Sequence, residues 1–168
     1  MNITRTAVPA LLSAAVGTTL VCAVPAAAAP GPAPAPAPAT SCAAGDLDLA
    51  VGTPDPGAGQ LYVPLGFTNI GDRPCTLLGH PGVSVLDADR QRIGSPADRE
   101  GTASGPVTLA PGRSATAVLH TTNGPIGGPC LDRGTFLKVY PPASKDEVLV
   151  KASFQICSDR FTVGPLTA

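Results

Sequence analysis

The sequence predicts an all-β fold, an antiparallel β-sandwich of about seven to nine short strands held by two disulfides. Three observations predict it. No window carries a helical period, whereas period-two apolar alternation recurs at intervals of roughly 8–15 residues. The 19 glycines and 20 prolines are spread through the chain, so turn signals fall between the alternating runs. Four cysteines, Cys42, Cys75, Cys130 and Cys157, lie in the part of the chain expected to be exported. A small barrel is the alternative architecture.

The chain has 168 residues, and its N-terminal segments stand apart from the fold. Residues 1–28 read as a secretory signal peptide: Arg5 gives a positive start, and a short apolar, uncharged run follows. That run is interrupted by Pro9, Gly17 and Pro25, and it is too short for a membrane span of roughly 20 strongly apolar residues. Small residues at 26–29 precede Pro30, so cleavage is expected after Ala28. Cys22 raises the alternative of a lipid anchor. Val21 stands where a small residue would precede a lipidated cysteine, so removal with the signal is the preferred reading and the protein is expected to be secreted. Residues 29–40 form a Pro/Ala linker, a composition that favours extended polyproline II at about 3.1 Å per residue.

Residues 41–168 are then one domain with a single core. Without Arg5 the exported part carries 10 Lys and Arg against 12 Asp and Glu. It has no basic run, so nucleic acid and anionic lipid are poor electrostatic partners. Trp is absent and aromatics are few, which disfavours a sugar-stacking platform. No stretch of the mature chain is apolar enough to span a membrane.

The elements follow in order. Leu47, Leu49 and Val51 alternate with polar or small residues as a half-buried strand. Residues 53–59 are a turn cluster. Leu61, Val63, Leu65 and Phe67 form the next strand, and Pro64, which has no N–H, places it at an edge or at a bulge. A polar turn leads to Cys75. Gly79-His80-Pro81-Gly82 turns the chain into the Val83–Leu86 strand, and residues 91–94 return from a tight connection. Residues 95–105 are polar and irregular, the segment best suited to mobility. Val107–Leu109 is short, and residues 115–120 are apolar on both faces. A loop over residues 121–129 precedes a strand at 136–140. Residues 148–156 show the cleanest alternation in the chain, and Phe161 and Val163 make the last strand.

An even cysteine number in an exported chain implies disulfides. No C-x-x-C spacing exists and only two imidazoles are present, so a zinc site is the poorer reading. Three pairings are possible. Antiparallel neighbours place the start of one strand beside the end of the next, which favours Cys42–Cys75 and Cys130–Cys157.

Chemistry is sparse. His80 and His120 are the available bases, with Ser84 or Ser114 as imaginable nucleophiles, yet no Gly-x-Ser-x-Gly elbow or other ordered signature is present. Asp46/Asp48 and Asp87/Asp89 read as a solvated strand face and a polar turn, because calcium needs six to eight oxygens in a loop pattern that is missing. No catalytic residue, metal or cofactor is therefore assigned.

An ordered set of features resembles a known family. These are Cys42, the strand ending Phe67-Thr68-Asn69, Cys75-Thr76-Leu77, Gly79-His80-Pro81-Gly82-Val83, Leu109-Ala110-Pro111-Gly112, and late cysteines near Tyr140-Pro141-Pro142. The chain resembles the actinobacterial exported family catalogued as domain of unknown function 4232. The resemblance implies an exported, immunoglobulin-like β domain and brings no activity or catalytic residue. His80 departs from the aromatic residue such sequences often carry. The expected role is a secreted or envelope-associated binding or structural module, its partner an envelope component or extracellular protein. The alternative is an extracellular hydrolase of unrecognised type, which would place a histidine with a serine and an acid in a pocket. A binding module would keep the histidines apart, with recognition on residues 95–105 and 121–129.

Overall fold

The computed structural model describes residues 40–168. The expected signal peptide, its cleavage after Ala28, and Cys22 lie outside the described residues, as does the Pro/Ala linker up to Ala39. Thr40, at the linker's expected end, already belongs to a strand.

The described residues form thirteen strands and one short 3₁₀ turn at Ala44–Asp46. The strands are β1 (Thr40–Ser41), β2 (Leu47–Val51), β3 (Asp55–Gly57), β4 (Gln60–Asn69), β5 (Cys75–Leu77), β6 (Gly82–Leu86) and β7 (Arg92–Ile93). They continue as β8 (Asp98–Arg99), β9 (Val107–Leu109), β10 (Ser114–Thr122), β11 (Cys130–Tyr140), β12 (Val148–Cys157) and β13 (Thr162–Val163). The count exceeds the seven to nine expected because several strands are only two or three residues long, below the length at which alternation can be read.

Two sheets carry the core. A six-stranded sheet has the order β2-β4-β10-β13-β8, with β3 also on β4, and a four-stranded sheet has the order β12-β11-β6-β7. Their inward residues form one apolar cluster: Val63, Leu65, Phe67, Ala115, Ala117 and Leu119 from the first, and Val83, Val85, Leu137, Val139, Val150 and Phe154 from the second. The packing is complementary in size. Ala115 lies opposite Phe67 and Ala117 opposite Leu65, so small side chains on β10 make room for large ones on β4. A third, three-stranded sheet, β1-β5-β9, closes one end.

Pro64 is not on an edge strand. β4 pairs with β10 on one side and with both β2 and β3 on the other. The β2 ladder stops at Val51–Leu65 and the β3 ladder begins at Asp55–Tyr62. Pro64 falls in the gap, where its carbonyl accepts a bond from the Gly52 N–H at 2.8 Å. The missing N–H faces the split in the neighbouring strand, so no donor is missed. The turn cluster of residues 53–59 accordingly contains β3.

Residues 95–105 also differ from expectation. They contain β8, which pairs in parallel with β13 through Asp98–Thr162 and Arg99–Val163. The pairing is long-range, so local composition carries no sign of it.

The disulfides are Cys42–Cys75 and Cys130–Cys157. Leu47 lies opposite Asn69 in the antiparallel β2–β4 pair, which brings the flanking cysteines to one end. Cys130 and Cys157 are direct partners across β11 and β12. Beside the second bridge, the buried Thr121 hydroxyl accepts the Cys157 N–H at 3.0 Å and joins β10 to the facing sheet.

Asn69 closes the β4 end and is fully buried. Its side-chain amide donates to the carbonyls of Arg73 (2.8 Å) and Leu109 (2.9 Å), and its oxygen accepts the Gly71 N–H at 2.9 Å. This buried amide holds the polar turn before Cys75 in place.

Candidate functional site

Along the outer face of β4 and β10, neither strand presents an Asp, Glu, Lys or Arg. Alternation turns Gln60, Tyr62, Pro64, Gly66 and Thr68 outward from β4. Their direct partners on β10 are Thr122, His120, Val118, Thr116 and Ser114, and paired residues share a face. Tyr62 and Val118 are well exposed there. Carboxylates flank the strip: Asp48 and Asp55 oppose Thr68 and Tyr62 on one side, and Asp98 opposes Thr162 on the other.

His120 is the centre of this face. Its ring stacks on Tyr62 with centroids 4.6 Å apart and planes 15° apart, as expected of direct cross-strand neighbours. Its Nε2 lies 2.6 Å from Gln60 Oε1, and its Nδ1 lies 3.6 Å from Glu100 Oε2. The imidazole is 12% exposed and the carboxylate 57%. Glu100 is placed by β8: its N–H donates to the Val163 carbonyl at 3.0 Å. The Thr162 hydroxyl donates to its Oε2 at 2.6 Å. That bond, opposed by partial burial and aided by His120 and Arg160, holds the Glu100 carboxyl below its ordinary value.

His80 reaches the same residue. Its Nε2 lies 3.0 Å from the Glu100 carbonyl oxygen, so the ring N–H donates there. The only two imidazoles of the chain thus converge on Glu100. They do not lie apart, contrary to the arrangement expected of a binding module.

The grouping is not the one a serine hydrolase needs. Neither imidazole is hydrogen-bonded to a hydroxyl among the described residues. His120 Nε2 is occupied by Gln60, and the nearby Thr162 hydroxyl is committed to Glu100. Ser114 bonds Thr68 at 2.8 Å, and Ser84 is buried on the other sheet. Asp87 accepts the Gln91 N–H at 2.8 Å within its turn. Among the described residues, no group of three or more His, Cys, Asp or Glu side chains is placed to hold a metal ion.

The loop expected over residues 121–129 begins only at 123, because Thr121 and Thr122 extend β10 against Leu61 and Gln60, and it is tied down at several points. Ser158, at φ 56°, presents a hydroxyl that accepts the Gly127 N–H at 3.0 Å and the Thr122 hydroxyl at 2.9 Å. The Asn123 N–H donates to the Gly59 carbonyl at 2.9 Å. A crevice of about 330 Å³ opens beside this loop between β12 and the β2–β3 edge, lined by Leu61, Val63, Phe154 and Arg133 among others. Neither histidine lines it.

His120 and His80 were visible in the sequence as candidate bases; Gln60, Tyr62, Glu100 and Thr162 were not singled out. The alternation of β4 and β10 carried the signal for the uncharged face. Nothing local carried the signal for Glu100, which depends on the β8–β13 pairing.

These features define a disulfide-stapled all-β domain whose polar groups are arranged on a sheet face. Residues 42–167 match the family model described as "Domain of unknown function (DUF4232)". The match spans well over half of the chain, and the protein belongs to that family. No curated protein matches the chain. No helix among the described residues is long and apolar enough to cross a membrane.

Proposed function

We propose that this protein is an exported binding or structural module, not an enzyme, and that it engages its partner through the outer face of β4 and β10. The single observation that carries this reading is the uncharged strip centred on the Tyr62–His120 stack. A side chain such as Tyr62, apolar in body and polar at its tip, suits an interface. Two disulfides support an oxidising compartment, and residues 1–28 supply the export signal. The two face-to-face sheets of mainly antiparallel strands support an immunoglobulin-like sandwich. An envelope component or extracellular protein is the proposed partner class. Against the hydrolase reading stand the absence of a hydroxyl bonded to either imidazole among the described residues and the commitment of His120 Nε2 to Gln60.

The test compares the mature domain with its Tyr62→Ala and His120→Ala variants, each checked for native circular dichroism, in binding to the envelope fraction and medium proteins of its own culture. At least a tenfold loss of retained material is expected for each variant. Undiminished binding by both folded variants would overturn the assignment of this face. Intact mass of the secreted protein separates cleavage after Ala28 from lipidation at Cys22.

A further inference from the structure

The two sheets present outer faces of opposite charge. On the six-stranded sheet, the uncharged strip is flanked by Asp48, Asp55, Asp98 and Glu100, with Arg160 the cation near Glu100. On the four-stranded sheet, registered pairs place Arg92, Phe136 and Lys151 in one row around a buried Leu86, then Lys138 and Leu149 beside a buried Ser84, then Gly82 and Tyr140. Arg133, paired with Gln155 and donating to its Oε1 at 2.8 Å, adds a fourth cation to Arg92, Lys138 and Lys151. The acid upon this face is Glu147, which accepts the Tyr140 hydroxyl at 2.8 Å and lies 3.7 Å from Lys138. One face is thus uncharged at its centre and acidic at its rims, and the other sets cations around partly buried aromatic and aliphatic side chains.

We propose that the domain self-associates head to tail, the basic outer face of the four-stranded sheet in one copy seating on the acid-flanked face of the six-stranded sheet in the next. The inference rests on the reading of the β4–β10 face as a binding surface and names its occupant as a second copy of this chain. Charge complementarity between the faces selects the partner and orients it. The strands of this face, long only at β4 and β10, at about 3.3 Å per residue and about 4.8 Å apart, give a face of roughly 500 Å². That is below the 800 Å² or so per partner of a standard interface, so the contact is small, weak and salt-sensitive. The two surfaces differ, so the contact is heterologous. Each copy keeps one free face, and the assembly extends unless the rotation closes a ring.

The experiment uses the secreted protein in sedimentation velocity across a concentration series. At about 50 mM salt the weight-average mass is expected to rise with concentration to at least twice the monomer, and at about 0.5 M salt to fall back, because screening acts over a few ångströms there. Two variants isolate the faces: Arg92→Gln/Arg133→Gln/Lys138→Gln/Lys151→Gln neutralises the basic face, and Asp48→Asn/Asp55→Asn/Asp98→Asn neutralises three of the four acids on the rims of the other. With circular dichroism unchanged, each variant alone is expected to stay monomeric, and an equimolar mixture to form a one-to-one dimer that does not extend. A wild type that stays monomeric at low salt, or a mixture that stays monomeric, would overturn the proposal. If envelope capture still required Tyr62 and His120 in that case, the function proposed above would stand and only the occupant would be wrong.

Discussion

Replacing Asn69 with alanine should be among the costliest single changes to this domain. The amide makes three hydrogen bonds to backbone groups at 2.8–2.9 Å and is fully buried. Each such bond contributes about 1 kcal/mol net, and a buried group left without a partner costs about 1–3 kcal/mol. Alanine takes the amide donor from the Leu109 carbonyl, which stays in the β5–β9 ladder, and frees the turn through Gly71 and Arg73. The bonds of the Asn69 backbone itself, from Gly112 and to Arg113, survive the change. The expected loss is therefore about 3–4 kcal/mol, read as a lower urea midpoint at constant slope with both disulfides intact. Asn69→Asp sharpens the test. A carboxylate would face the Arg73 and Leu109 carbonyl oxygens, which favours its protonated form and raises its folded-state pKa. Its stability relative to wild type should then be highest at acid pH and fall as pH rises through that raised value. A loss below about 1 kcal/mol for Asn69→Ala, or an Asn69→Asp deficit that does not grow with pH, would refute the reasoning.

Three other changes test separate parts of the fold. Gly134→Ala should cost about 2 kcal/mol or more, because a Cβ there runs into Val85 Cγ1 and stands 3.0 Å from the Leu86 carbonyl oxygen; thermal unfolding reports it. Thr121→Val, nearly equal in shape, leaves the Cys157 N–H without its acceptor and should cost about 1–3 kcal/mol, with Thr121→Ser recovering much of that. The lowered pKa of Glu100, owed first to the Thr162 hydroxyl, means that its contribution is present above the ordinary carboxyl value and lost as pH falls through the lowered one. Wild type should therefore lose stability in that acid window by a small increment that Glu100→Gln lacks. Equal pH profiles for the two proteins would remove Glu100 from the account.

The long strands were legible because each buries one face and shows the other to water. Alternation at Leu61–Phe67, Ala115–His120 and Val148–Ile156 follows directly from that asymmetry. The disulfide pairing was legible for a related reason, since antiparallel neighbours fix which strand ends meet. Pro64 misled because a proline was read against one strand at a time. It is tolerated inside a sheet when its neighbour divides into two strands at that level, and that division is a property of Gly52–Pro54 rather than of β4. A strand of two residues such as β8 buries too little to leave a pattern, whereas β13 was marked by the apolar Phe161 and Val163 on either side of Thr162.

The candidate site falls on the boundary between these two cases. Tyr62 and His120 face each other because two long, legible strands pair at a fixed register. Glu100 joins them only because β8 lies in parallel on β13, and His80 joins because the turn before β6 approaches the same carbonyl. Histidines 40 positions apart in the chain therefore meet at one residue through β8, the least legible strand of the fold. The two rings are arranged differently from an imidazole that activates a nucleophile. An imidazole activating a nucleophile needs a free nitrogen aimed at a hydroxyl, whereas both rings here spend a nitrogen on fixing chain: His80 on the Glu100 carbonyl and His120 on Gln60. Their shared effect is to hold the segment after β8 against the rim of the uncharged strip, where a partner seated on Tyr62 and Val118 would meet it. Cutting the His80 tether with His80→Ala should then weaken partner binding while leaving the Tyr62–His120 stack intact, and normal binding by that variant would reduce His80 to a turn residue.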